Sequence, residues 1–182
     1  MAYITKEELV NDKRFFIDER NIKRLMQQPI LRYEVKRKKI GTLLRTRANT
    51  NRIVTLDQTR VYAFLKGTTK GEKEYEEYID ICNVDFRSKA AYNSLIDEMS
   101  RTPYDITKGA IVINQDDLIF DGQHRSCYLL YKYGPNYKVD VLQLVYETDK
   151  GIWYAINKIK VFIAKIKAFF FCMHYNLYGA SR

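Results

Sequence analysis

The sequence predicts an α+β protein. The expected core is a small mixed sheet with flanking helices over residues 49–149, with a basic N-terminal helical arm over 1–48 and a basic amphipathic helix over 150–182. Three observations carry this expectation. Short β-branched runs alternate with stretches of helical period through the middle of the chain, the pattern of a sheet covered by helices. The turn-forming "NQDD" joins two such runs as a hairpin. The charge of +9 is uneven: residues 20–47 carry 10 basic groups against 1 acidic and residues 150–182 carry 6 against none, whereas residues 48–149 carry 12 against 16. Basic flanks around a mildly acidic middle point to a polyanionic partner, nucleic acid or an acidic membrane surface, met by the flanks.

At 182 residues the chain has room for one core with attachments rather than for two. Its 15 tyrosines and 9 phenylalanines are read first as core filling with hydrogen-bonding tips. The three cysteines, Cys82, Cys127 and Cys172, are odd in number and widely spaced, against both a disulfide framework and a zinc site. Together with a charged first twenty residues that lack a signal-peptide core, they lead to the expectation of a cytoplasmic protein.

Taken in order, "TKEE" opens a helix with Thr5 as its cap, within a segment from 5 to 28 that Pro29 ends or kinks. "LRYEVKRKKIGTLLRTRANTNR" reads as an arm with a short helix or strand outside the core, either a solvated charged surface or an anion-binding one. "RIVTLD" is the first core strand. "KEYEEYIDIC" places Tyr75, Tyr78, Ile79 and Cys82 near helical spacing. "SKAAYNSLIDEMSR" is a helix capped by Ser88, with Tyr92, Leu95, Ile96 and Met99 on one face. "AIVINQDDLIFDG" is the hairpin, "SCYLLYKYG" a helix closed by Gly134, and "KVDVLQLVYE" a final strand.

The hairpin runs into "FDGQHRS", where Asp121 and Gly122 turn the chain into a helix at about residues 124–126. A helix start offers N–H groups without partners and partial positive charge, which favours an anion. Gly122 would let the backbone approach a ligand, Arg125 would supply a forked donor and Ser126 a hydroxyl. Asp121 could hold a metal or accept a proton, and His124 could donate to phosphate oxygens or shuttle a proton. The same residues also read as a plain turn, an interior histidine and a surface ion pair.

In the tail, Ile152, Ile156, Ile159, Ile163, Ile166 and Phe170 fall on one helical stripe with Lys158, Lys160, Lys165 and Lys167 on its two sides. The lysines interrupt the apolar run too often for a bilayer span. The helix either lies in an anionic membrane interface, helped by Trp153 and "FFF" at 169–171, or packs on the core or a second subunit.

From "AIVINQDDLIFDGQHRS" through "CYLLYKYGPNYKVDVLQLVY", the chain resembles the carboxyl half of the ParB/sulfiredoxin superfamily, in which a strand, a glycine turn with an HR or RR pair and a helix follow one another. "DFRSKAAYNSLIDEMSRTPYDITKG" stands where that family has an arginine-bearing loop and its first helix. The resemblance is specific at "DGQHR" and implies nucleotide-phosphate binding at Gly122, Gln123, His124, Arg125 and Ser126; Arg87 reads either as a further phosphate contact or, the stronger reading, as a surface arginine flanking a helix. Sulfiredoxins carry a reactive cysteine where this chain has Gln123, so reductase chemistry is not expected, and Cys127 reads as a buried structural thiol. Only 33 residues follow Asp149, so centromere binding through a further DNA-binding domain is not expected either.

The form of the motif is similar to the kinase-like branch. That likeness implies a phosphotransferase that uses ATP or another nucleoside triphosphate with Mg2+, on a small hydroxyl compound or sugar. Asp121 would be the acid-base and metal residue, His124 a catalytic partner and Asp57 a second carboxylate. Chains with such a domain and a basic apolar tail resemble members of bacterial surface-polysaccharide pathways, which implies a position on the inner face of the inner membrane. The alternatives are a nucleic-acid-binding or nuclease-like protein using residues 20–47, and a non-catalytic membrane adaptor.

Overall fold

A computed structural model describes residues 3–47, 50, 52–82, 89–147 and 152–178. Thr5 opens α1 (Lys6–Asn11) with a reciprocal capping box: the Glu8 N–H donates to Thr5 Oγ1 at 3.2 Å, and the Thr5 N–H donates to Glu8 Oε2 at 2.7 Å. One helix does not continue to Pro29. Asp12 instead accepts the Arg14 N–H at 3.0 Å, a local side-chain bond that competes with the helical ladder. The chain then restarts as α2 (Glu19–Leu25), capped by Asp18 through the Arg20 N–H at 2.9 Å.

The stretch expected as a basic arm outside the core is corrected by β1 (Ile30–Lys39), a ten-residue strand of the main sheet. Its odd positions Tyr33 and Val35 pack on the core, while the alternate Arg32, Glu34, Lys36 and Lys38 dominate its composition and hide the period of two. Charged side chains along an edge strand also discourage pairing with another chain.

The sheet order is β1-β6-β4-β5, with β4 (Val112–Asn114), β5 (Ile119–Asp121) and β6 (Lys138–Tyr146). β1 runs antiparallel to β6, β6 parallel to β4, and β4 antiparallel to β5, so the sheet is mixed as expected and the 110–121 hairpin is present. Strand β6 is central and buried on both faces. Val139 and Val141 face one apolar cluster, and Leu142 and Leu144 face the other. The first cluster is covered by α3 (Arg60–Leu65), α4 (Thr69–Cys82), α5 (Lys89–Arg101) and α6 (Gln123–Tyr133). The second is covered by α1 and α2 through Leu9, Ile22 and Leu25, which makes the N-terminal residues part of the same packed unit.

"RIVTLD" forms strand β3 (Ile53–Thr55), but in a separate two-stranded ribbon with β2 (Leu44–Thr46) rather than in the main sheet. The ribbon lies along β5, joined to the hairpin by the bridge between Leu44 and Leu118, and Arg45 donates to the Ile119 carbonyl. Arg24 donates to the Phe120 carbonyl at 2.7 Å. These two guanidinium groups satisfy carbonyls that an edge strand would leave open. The capping role expected for Ser88 lies outside the described residues.

Helix α7 (Ile152–Tyr178) packs on the ribbon and the hairpin through its small side chains: Val161, Ala164 and Ala168 join Leu44, Ile53 and Leu118. The stripe of isoleucines expected from periodicity takes the outward side, with Ile159, Ile163, Ile166 and Phe170 all exposed. The side chains of Ile152 and Trp153 lie outside the described residues. Among the described residues no helix is long and apolar enough to cross a membrane.

Candidate functional site

Strand β5 delivers Asp121 and Gly122 to the start of α6. Gly122 is the N-cap with φ 81°, a left-handed conformation, and a Cβ there would stand 2.9 Å from Ile111 Cα. Having no side chain, it leaves α6 without a side-chain cap. The first turn of α6 opens into a cleft of about 230 Å3, closed by α2 at Asn21, by β2 at Arg45, and by α4 and α5 through Tyr75, Tyr78, Tyr92 and Leu95. Gly122, Gln123, His124 and Arg125 all line it, together with Asp121. The motif residues other than Ser126 therefore converge on one concave surface.

Each has a distinct environment. The Arg125 guanidinium lies against Gly109, where a Cβ would come within 2.7 Å of its Cζ. Among the described residues no hydrogen bond or salt bridge holds that guanidinium. Asp121 accepts from Asn21 Nδ2 at 3.0 Å and lies 3.9 Å from the Arg24 guanidinium, so its charge is partly offset and the net field of the cleft is set by Arg45, Arg125 and the helix start. His124 Nε2 is 3.0 Å from the buried Tyr75 hydroxyl, and the imidazole is met edge-on by Tyr92 at 4.7 Å between centroids. That bond and the tyrosine rings around it fix the position of the imidazole in the wall of the cleft. Burial pushes the Tyr92 hydroxyl well above its ordinary pKa, so it stays protonated. Gln123 is 9% exposed, and its Oε1 has no hydrogen-bond partner among the described residues. It separates the cleft from a smaller pocket of about 60 Å3 lined by Arg45, Arg47 and Arg60, where Arg60 Nε and one terminal nitrogen are also without a partner.

Three expectations are corrected or fall elsewhere. Ser126 is fully buried, and its hydroxyl donates to the Gly122 carbonyl at 2.9 Å; the oxygen expected to meet phosphate is spent on stiffening the turn. Asp57 sits in the 3-10 turn Leu56–Gln58 that follows β3, and it does not line the cleft. Arg87 lies outside the described residues. Conversely, Asn21, Arg45 and the tyrosines join the site from elements where the sequence suggests only surface charge or core. The available signal is a hydroxyl on an otherwise apolar helical face, because a buried tyrosine tip needs a polar partner.

Cys127 is fully buried beside Thr59, with Sγ 3.3 Å from the Thr59 hydroxyl, and burial pushes its thiol up to about 12. A thiol so placed is inert. Iodoacetamide at pH 8 is expected to leave Cys127 unmodified in the folded protein and to modify it in denaturant, as read by peptide mass spectrometry; labelling under native conditions would contradict the packing.

For magnesium, Asp121 is the one carboxylate lining the cleft, and no group of three His, Cys, Asp or Glu residues able to hold a metal occurs among the described residues. Such a donor set fits an ion that arrives coordinated to phosphates and takes one protein carboxylate, but not a resident all-protein site.

Five of the ten basic residues of the 20–47 segment form salt bridges within the chain, Arg24 with Asp121 among them. Arg20 pairs with Asp18, Lys36 with Glu34, Arg37 with Asp140 and Lys38 with Asp117, which leaves less charge for a nucleic-acid backbone than composition suggests. In comparisons with protein-family models, curated proteins and solved structures, no match to the chain was found.

Proposed function

We propose that the cleft at the start of α6 binds the phosphates of a nucleoside triphosphate and that the protein is a phosphotransferase acting on a small hydroxyl compound or sugar. The observation that carries this reading is the Arg125 guanidinium, which makes no hydrogen bond or salt bridge among the described residues, beside a helix start without a side-chain cap inside a tyrosine-walled cleft. Cations and first-turn N–H groups aimed at one point favour bound phosphate. At about 230 Å3 the cleft is smaller than the roughly 300–1,000 Å3 of pockets that enclose whole drug-sized ligands. A nucleotide would therefore seat phosphates in it and keep part of the nucleoside at the mouth. The likeness of "DGQHR" to the ParB/sulfiredoxin superfamily supports the same assignment.

In the proposed reaction the acceptor oxygen forms a bond to the terminal phosphorus as the bond from that phosphorus to the bridging oxygen breaks. The electron pair of the broken bond leaves with the nucleoside diphosphate. Asp121, held by Asn21, takes the acceptor proton, and Arg125 and Arg45 balance charge on the phosphoryl oxygens. His124, fixed by Tyr75, donates to the same oxygens. Asp121 would also be the residue that holds a magnesium ion arriving with the nucleotide, and such an ion would supply further neutralisation of phosphate charge.

The test pairs binding with turnover. Wild type is expected to bind nucleotide by calorimetric titration, and Asp121→Asn to retain the affinity measured without divalent ion while losing phosphoryl transfer by about 10²–10⁴-fold. Transfer unaffected by Asp121→Asn would remove the carboxylate from the reaction, and absence of nucleotide binding by wild type would remove the function.

A further inference from the structure

Helix α7 is mounted on the body with its large apolar side chains facing away from it. Ile159 is 60% exposed, Phe162 64%, Phe169 63% and Phe170 55%, and Ile163, Ile166 and Met173 complete the same face. Their spacing of three and four residues makes one continuous stripe along the helix. This is not a helix that has failed to dock. Its opposite face is seated through Val161, Ala164, Ala168 and Cys172, and Lys158 and Lys165 form ion pairs with Asp116 and Asp117 in the hairpin turn. Two of its cations are thus spent on fastening the helix, and the apolar stripe is what the fastening presents. A contiguous exposed apolar face of this kind marks an interaction surface.

Charge decides which occupant fits. Helix α7 carries Lys158, Lys160, Lys165 and Lys167 and no acidic residue, and the four lysines lie along the two margins of the apolar stripe. With Lys158 and Lys165 already paired to Asp116 and Asp117, a second copy would meet the Lys160 and Lys167 margin of the stripe with no carboxylate on α7 to offset it, which is unfavourable. An anionic bilayer surface instead accepts the apolar stripe at the acyl boundary and the Lys167 margin at its headgroups.

We infer that the outer face of α7 is a membrane-docking surface that lies in the plane of an anionic bilayer interface, fixed rigidly to the body by the Lys158–Asp116 and Lys165–Asp117 pairs. This inference is independent of what the cleft binds.

Vesicle co-sedimentation of the full chain tests it, comparing phosphatidylcholine alone with phosphatidylcholine containing phosphatidylglycerol at low and raised salt. Binding is expected on the anionic vesicles and expected to weaken with salt. The double variant Phe162→Ser/Phe169→Ser is expected to lower the partition coefficient by about tenfold or more, and Lys167→Ala by about fivefold. Both change exposed side chains, so the circular dichroism spectrum and melting temperature should be unchanged. Sedimentation without lipid is expected to give a monomer. The inference is overturned if anionic vesicles leave the protein in the supernatant, if the double variant binds as well as wild type, or if the wild type is a lipid-free dimer that the double variant dissolves, which would assign the face to a second copy.

Discussion

Arg125→Ala should weaken nucleotide binding by about ten- to a hundredfold, the loss of one or two charge-assisted hydrogen bonds at about 1.5–3 kcal/mol. Its cost in stability should be small by comparison. The guanidinium has no salt bridge to lose among the described residues, so the variant gives up its packing on Gly109 and little else. Arg24 makes the contrast clear: it donates to the Phe120 carbonyl and lies near Asp121, so its removal would unsatisfy the edge of β5 and disturb the site at once. Arg125→Lys should recover only part of the affinity, because an ammonium keeps the charge but loses the fork that matches phosphate oxygens. Titration calorimetry and thermal melting on the same preparations separate the two effects. Affinity unchanged in Arg125→Ala would take the guanidinium out of the binding site, whereas a parallel collapse of the melting temperature would make it a structural residue.

What the sequence discloses follows the range of the interactions involved. The hairpin, the glycine turn and α6 are legible because turn residues and helical period act over a few positions, and the structure has β4, β5 and α6 where those signals put them. β1 is not, since six of its ten residues are charged and composition outweighs period. The cleft itself is assembled from α2, β2, α4 and α5, and no local pattern tells that Asn21 and Arg45 meet Asp121 and Arg125. Ser126 misleads for the opposite reason: a hydroxyl at a helix start is equally suited to a ligand and to the carbonyl four residues back, and burial decides for the carbonyl. In α7, side-chain size misleads. The stripe richest in large apolar residues suggests the buried side, yet the close approach of the helix to β2 and β3 is made by alanines.

Gly122→Ala should be among the most destabilising single changes in the chain. An alanine held at φ 81° costs about 1–2 kcal/mol, and its Cβ would stand 2.9 Å from Ile111 Cα, which is backbone of a fully buried residue and cannot swing aside. Forcing an extra carbon into such a contact adds about 1–3 kcal/mol, so the sum is about 2–5 kcal/mol, a fall in melting temperature of roughly 5–15 °C for a chain of this size. Gly67 separates the two causes. It also has a positive φ, 63°, but nothing lies within 4 Å of where its Cβ would be, so Gly67→Ala should show the conformational cost alone. Gly122→Asn tests the same division from the other side, because asparagine tolerates the left-handed region while still bearing the Cβ that meets Ile111. If Gly122→Asn is as stable as wild type, the close approach to Ile111 is not what demands glycine. If it falls with Gly122→Ala and well below Gly67→Ala, the contact between the α6 N-cap and Ile111 is what sets the position of the first turn, and with it the aim of Arg125.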